Sequence, residues 1–250
     1  MSAENISKNN MNQGLGLIFG KLRASLPKDA RSKPTHFSTA SFPSCPDRIE
    51  TNQLIVTKAS CTYGTGYRTD RIIFHATKPT YQELGLLILA AVFREGGHRT
   101  HIVLNHPHST IKNLVISYSG LTPRASGQKT RPEYFPYCPS KVEKHPWKWR
   151  GHCGELSSFP SFTLTNIKEF VVSEADWASR DTVMGFGNDD ANIRLADLLL
   201  NIGYSDLTEV ILEGEGGHRG VGIHSAEAAF YLPGSPAWPQ GISLGEALKT

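Results

Sequence analysis

Two identical pentads, Glu95-Gly-Gly-His98-Arg99 and Glu215-Gly-Gly-His218-Arg219, put an acid, an imidazole and a guanidinium on glycine-rich backbone twice in one chain of 250 residues. A carboxylate can take a proton, an imidazole can deliver one, and a guanidinium holds a phosphate through paired hydrogen bonds. Together they are a kit for metal-free phosphodiester cleavage. The bland alternative is a repeated turn in which Glu and Arg pair and His faces water. Glu-x-x-His twice is also the spacing of ferritin-like di-iron sites, but those motifs sit inside helices. There a Gly-Gly pair would cost about 2 kcal/mol of helix propensity.

Three further constellations bear on chemistry. His98, His101, His106 and His108 crowd one stretch, EGGHRTHIVLNHPHS. Imidazoles alternating on a strand face one way and can converge on a metal. Cys45, Cys61, Cys138 and Cys153 lack C-x2-C knuckles, so a structural zinc site, two disulfides and four reduced thiols stay open; the cofactor is unknown, with structural zinc the candidate. Residues 124–150 interleave aromatic rings with Lys and Arg, most densely at Lys144, Trp147, Lys148, Trp149 and Arg150. That mixture suits single-stranded nucleic acid, because bases stack on rings while cations track phosphates. The structural alternative is a Pro-rich loop whose rings plug a gap between modules.

The elements that must position these residues follow from patterning. Thr80 with Glu83 three residues on reads as a capping box, so a helix is expected over 81–94, apolar on nearly every side and therefore buried all round. Gly96 and Gly97 then end it. Gln53–Cys61 alternates and is β-branched, a strand; Asp70–Ala76, His101–Asn105 and Leu114–Ser119 are expected as three more. Further strands are expected at 162–172, 207–213 and 221–232. Helices are expected at 15–26, at 191–202 and, capped by Ser243 and Glu246, at the C-terminus.

A second repeat gives these elements an order. FPSCPDRIE (42–50) and FPYCPSKVE (135–143) share five identical positions, and each is followed by a second cysteine, a helix and the pentad. The expected fold is α+β: two related modules from a tandem duplication, each a mainly antiparallel sheet packed on one buried helix. The boundaries are a flexible N-terminal segment 1–35, module 1 at 36–128, module 2 at 129–238 with the basic-aromatic loop 124–159, and a C-terminal tail 239–250. One departure is visible already: LTEVILEGE intervenes between helix and pentad in the second copy only.

Hydrophobic residues make up 39% of the chain, enough for a core. The net charge of +3 hides a split, since residues 1–159 hold 21 Lys/Arg against 10 Asp/Glu and residues 160–250 hold 5 against 13. A basic part of this kind fits a polyanion, and an acidic third fits a basic protein partner. The longest apolar run is far shorter than the roughly 20 residues a bilayer span needs, so no membrane partner is expected. The polar start and the short apolar stretch Leu15–Phe19 do not make a secretory signal; a cytoplasmic address is expected by default, with an organelle presequence as the minor alternative. VILEGE (210–215) and FYLPGSPAW (230–238) resemble cupin strands, although the His-x-His pair of a cupin metal site does not precede VILEGE.

The leading expectation is a nucleic-acid-binding protein, RNA-directed, with metal-independent phosphodiester cleavage in a Glu/His/Arg cleft between the modules. The rivals are a metal-dependent enzyme acting on a small substrate through the His98–His108 cluster, and a non-catalytic interaction subunit.

Overall fold

The structure, a computed structural model, describes residues 15–28, 35–62, 64, 66, 68–95, 99–118, 134–137, 161–166, 181–187, 189–202, 208–212 and 225–242. Its centre is a helix, α3 (Lys78–Ala90), in which every residue from Thr80 onward is buried. The preceding helices α1 (Leu15–Ile18) and α2 (Gly20–Ala24) lie on it, and α4 (Asp189–Asn201) packs against it. Around these helices runs a mixed sheet of nine strands. From one end its order is β2 (Arg48–Thr51), β5 (Arg99–Leu104), β6 (Asn113–Tyr118), β9 (Asp181–Gly187), β8 (Ser161–Asn166), β11 (Ser225–Tyr231), β4 (Arg68–Ala76) and β3 (Leu54–Thr62), with β10 (Glu209–Leu212) also pairing β11. A separate two-stranded piece joins β1 (Thr35–Ser38) to β7 (Tyr134–Tyr137).

The α+β class thus stands, with mixed helix and strand. Within each half the hairpins β3–β4, β5–β6, β8–β9 and β10–β11 are antiparallel. The joins between halves, β4–β11 and β6–β9, are parallel. One sheet therefore serves both helices instead of a sheet for each. It also curls until β3, at one end, meets the β5–β6 connection near the other. Ser109, in the β5–β6 connection, accepts the Val56 N–H at 2.9 Å and lies 3.0 Å from the Val56 carbonyl, while the Ile111 N–H donates to that carbonyl at 3.1 Å.

The central helix starts a turn earlier than its capping-box pattern implies. Thr77 is the N-cap, Pro79 sits in the first turn where a missing N–H costs nothing, and the Tyr81 N–H reaches the Thr77 carbonyl at 3.0 Å. Glu83 is consequently not a capping residue but a buried one. Beyond Ala90 the helix widens into a π-helical turn, Ala91–Glu95.

Two contacts fix the helix within the sheet. Gly85 lets α4 come close: a Cβ there would stand 3.0 Å from the Ala196 carbonyl oxygen and 3.0 Å from Leu200 Cγ. The Tyr81 hydroxyl lies 2.9 Å from the Phe74 carbonyl and 3.0 Å from the Tyr231 carbonyl as donor, and accepts the Tyr231 N–H at 3.1 Å. It ties the helix to both strands of the parallel β4–β11 join. Burial pushes that phenol well above its ordinary pKa, so it stays a donor. The surrounding leucines and isoleucines each contribute about 1.5–3 kcal/mol by leaving water. Residues 15–26 belong to this core too, through buried Leu15, Phe19 and Leu26. No helix among the described residues is long and apolar enough to cross a membrane.

Candidate functional site

Strand register sorts the sheet into two faces, since partners in a pair point the same way and alternate residues point oppositely. Ile72, Phe74, Ala228, Phe230, Leu114, Ile102 and Val183 face the helices and form the core. The opposite face mixes apolar residues such as Ile55, Val103, Val115 and Ala229 with polar ones. It carries Arg48 and Glu50 on β2, His101 on β5, Asn113 on β6, Thr182 on β9, Glu227 and Tyr231 on β11, and Arg71 and His75 on β4.

Several of these polar groups are buried. Arg71 and Glu227 are register partners, and the guanidinium grips one carboxylate oxygen, Nε at 2.9 Å and Nη2 at 2.7 Å. Four residues along β4, His75 is 4% exposed, with its ring 5.5 Å from that of Tyr231 and 5.4 Å from that of Trp238. Its Nε2 lies 3.4 Å from the Ala237 carbonyl, while Nδ1 has no hydrogen-bond partner among the described residues. Desolvation holds this imidazole below its usual pKa, against the opposing pull of that carbonyl. Across the other parallel join, Asn113 and Thr182 are register partners whose Nδ2 and Oγ1 are buried without hydrogen bonds among the described residues.

A transverse row of the sheet links the segments singled out by sequence. Arg99 pairs with Ser117, Ser117 with Phe186, and Phe186 with Ser161. One residue on from the Ala226–Phe162 pair, the row reaches Glu227 and Arg71. The first pentad enters the sheet here, because Arg99 is the first residue of β5 and Glu95 closes the π-helical turn before it. The second pentad begins three residues after Leu212, whose partner Ala228 is one residue from the row. The connection 119–160 leaves β6 at Tyr118 and rejoins at Ser161, again at this row.

The basic-aromatic segment has one further anchor. Its strand β7 pairs with β1, Phe135 opposite Phe37. The Phe37 ring lies 6.4 Å from that of Phe42, which lies 6.0 Å from that of Phe93, two residues before Glu95. Gly96, Gly97, His98, Glu215, His218 and Arg219 lie outside the described residues, as do Lys144, Trp147, Lys148, Trp149 and Arg150; of Glu95 and Arg99 only the backbone is described.

The recurring strings occupy different places in the two halves. EGGHR runs from the π-helical turn into β5 in the first, whereas β10 separates helix from pentad in the second. The first FPxCP follows the 3-10 turn Thr39–Ser41, while the Phe135-Pro136 of the second lies within β7.

For metals, no three His, Cys, Asp or Glu side chains stand together among the described residues. Cys45 is buried and its Sγ lies 3.7 Å from the Leu87 carbonyl; the backbone of Cys61 pairs with Thr69, and Cys138 and Cys153 lie outside the described residues. His106 and His108 have rings 5.4 Å apart, but His106 Nδ1 accepts the His108 N–H at 3.2 Å. A ligating Nε2 on that ring would need both nitrogens to present lone pairs, which neutral imidazole cannot do.

Sequence reasoning missed Arg71, His75 and Tyr81, and gave Glu227 no ion-pair partner. A partner 156 residues away leaves no local signal, and the strand Asp181–Gly187, DTVMGFG, hid behind its two glycines. Compared with protein-family models, with curated proteins and with solved structures, the chain matches none.

Proposed function

We propose that the protein binds single-stranded nucleic acid, RNA in the first instance, at the end of the sheet where both pentads and the basic-aromatic segment are attached. The observation that carries this reading is the shared row: Arg99 opens β5 in it, Leu212 ends β10 one residue from it, and the segment 119–160 starts and finishes there. Cations for phosphates, rings for bases and two Glu/His/Arg sets thus issue from one place. Metal-independent cleavage is the chemistry we assign to it. β10 continues the place of β8 beside β11, three places from β5, roughly 14 Å on a flat sheet. The six residues from Leu212 to His218 reach about 20 Å when extended. That is enough for the pentads to line one cleft.

Single-turnover cleavage of an unstructured RNA in the presence of a chelator tests this. His98→Gln and His218→Gln should each keep the melting temperature and lose about 10²–10⁴ in rate. Two stable, fully active variants, or no turnover by the wild type, would reduce the pentads to turns.

We also infer that the two halves descend from a duplication, in a register other than the one the strings suggest. Each half runs strand, strand, helix, strand, strand. Both helices are 13 residues long and start two residues after a strand, Lys78 after Ala76 and Asp189 after Gly187. That shift of 111 residues aligns Leu84, Leu87 and Leu89 with Leu195, Leu198 and Leu200, and Gly85 with Ala196, where the helices meet. It also exchanges the parallel joins β4–β11 and β6–β9. The pentads repeat at 120 and FPxCP at 93, outside that register.

A further inference from the structure

The carboxyl of Glu83 is a buried acidic group that the proposed function does not use. It sits on the central helix with its side chain 1% exposed, and the lid over it is the N-terminal segment α1–α2. Arg23 of α2 brings Nη1 to 3.2 Å from Oε1, and the Phe19 backbone, between α1 and α2, also turns toward this carboxyl. Leu15, Phe19 and Leu26 seat the rest of the segment in the core. Its two helices are 4 and 5 residues long, too short to persist off the surface that holds them.

We infer that residues 15–26 form a pH-sensitive strap over Glu83, which loosens as the solution becomes more alkaline. The direction follows from where the proton is cheaper. With the strap closed, burial pushes Glu83 up to about 7, against the opposing pull of Arg23 and of the Phe19 backbone. With the strap open, the carboxyl meets water and ionises in the ordinary range near 4.5. Closed Glu83 therefore holds its proton to higher pH, and rising pH favours the open form. Among the described residues, α1 brings no titratable group to this carboxyl and α2 brings Arg23, with Lys21 exposed on the same helix. On α4 the buried Asp197, pushed up to about 6 by desolvation, has its own hydrogen bond from Asn201 and exerts no pull on Glu83.

Hydrogen exchange of the full-length chain tests the strap, read on peptides covering residues 15–26 and corrected for intrinsic rates. The opening equilibrium should rise about tenfold from about pH 6 to pH 8 by proton linkage, while peptides from α3 stay protected. Glu83→Gln should remove that rise. Should that variant not fold, Arg23→Gln provides the second arm: without the guanidinium the closed carboxyl ionises at still higher pH, so the rise should persist and steepen. Equal protection at both pH values in the wild type, a rise retained in Glu83→Gln, or a rise abolished in Arg23→Gln would overturn the inference.

Discussion

At the scale of single residues, the sheet face opposite the helices is held by polar groups whose cost is visible. Arg71 and Glu227 share a mostly buried ion pair across the parallel join of the two halves. Removing one charge from such a pair leaves the other desolvated, so Glu227→Gln or Arg71→Met should each cost about 3–5 kcal/mol in urea unfolding. The double change to methionine should recover most of that loss. If it does not, the pair contributes through its wider contacts and not through mutual neutralisation. His75 gives a second test. Its folded pKa is below the unfolded value of 6.5, so the unfolded chain binds the proton more readily. Stability should be full above about pH 6.5 and fall as pH drops below it, and His75→Phe should flatten that limb. A limb unchanged in the variant would assign the acid sensitivity elsewhere.

At the scale of elements, the contact of α3 with α4 is set by the absence of one side chain. Gly85→Ala gains about 1 kcal/mol of helix propensity. It must also open a gap against the Ala196 carbonyl, which as backbone cannot turn aside. Overpacking of that kind costs about 1–3 kcal/mol, so the net should be destabilising, with Gly85→Leu far worse. A Gly85→Ala protein as stable as the wild type would mean that the helices can slide apart freely. The same elements show what patterning could reveal. The central helix, the hairpins β3–β4 and β5–β6 and the helix over 189–201 announced themselves by period and by turn residues. The strands β1, β7 and β9 did not. β7 is YFPY, with a proline, and β9 carries two glycines; tertiary neighbours supply the pairing that their own sequences discourage. Glu83 misled for a related reason, since Thr-x-x-Glu opens many helices but here Thr77 and Pro79 had already opened this one. The pentads were legible as letters, yet only the sheet register tells that Arg99 stands in the row and that Leu212, three residues before the second pentad, ends one residue from it.

At the scale of the whole molecule, the parallel joins matter most. Because β11 pairs β4 and β9 pairs β6, neither half can complete its sheet alone. The loops of both halves are delivered to one end of a single sheet. On the proposed reading, the uneven charge of the chain serves that end, since acidic residues concentrate after residue 160 and basic ones before it.

The central claim, that this end of the sheet holds a nucleic-acid strand, is tested most directly by the salt dependence of binding to a fluorescent single-stranded RNA. Each phosphate contact contributes about −0.7 to the slope of log affinity against log salt. Replacing Lys144, Lys148 and Arg150 together by glutamine should flatten that slope by about 2 and weaken binding at low salt, with the melting temperature unchanged. A wild-type chain that does not bind the RNA at low salt, or a triple variant with the wild-type slope, would contradict the account.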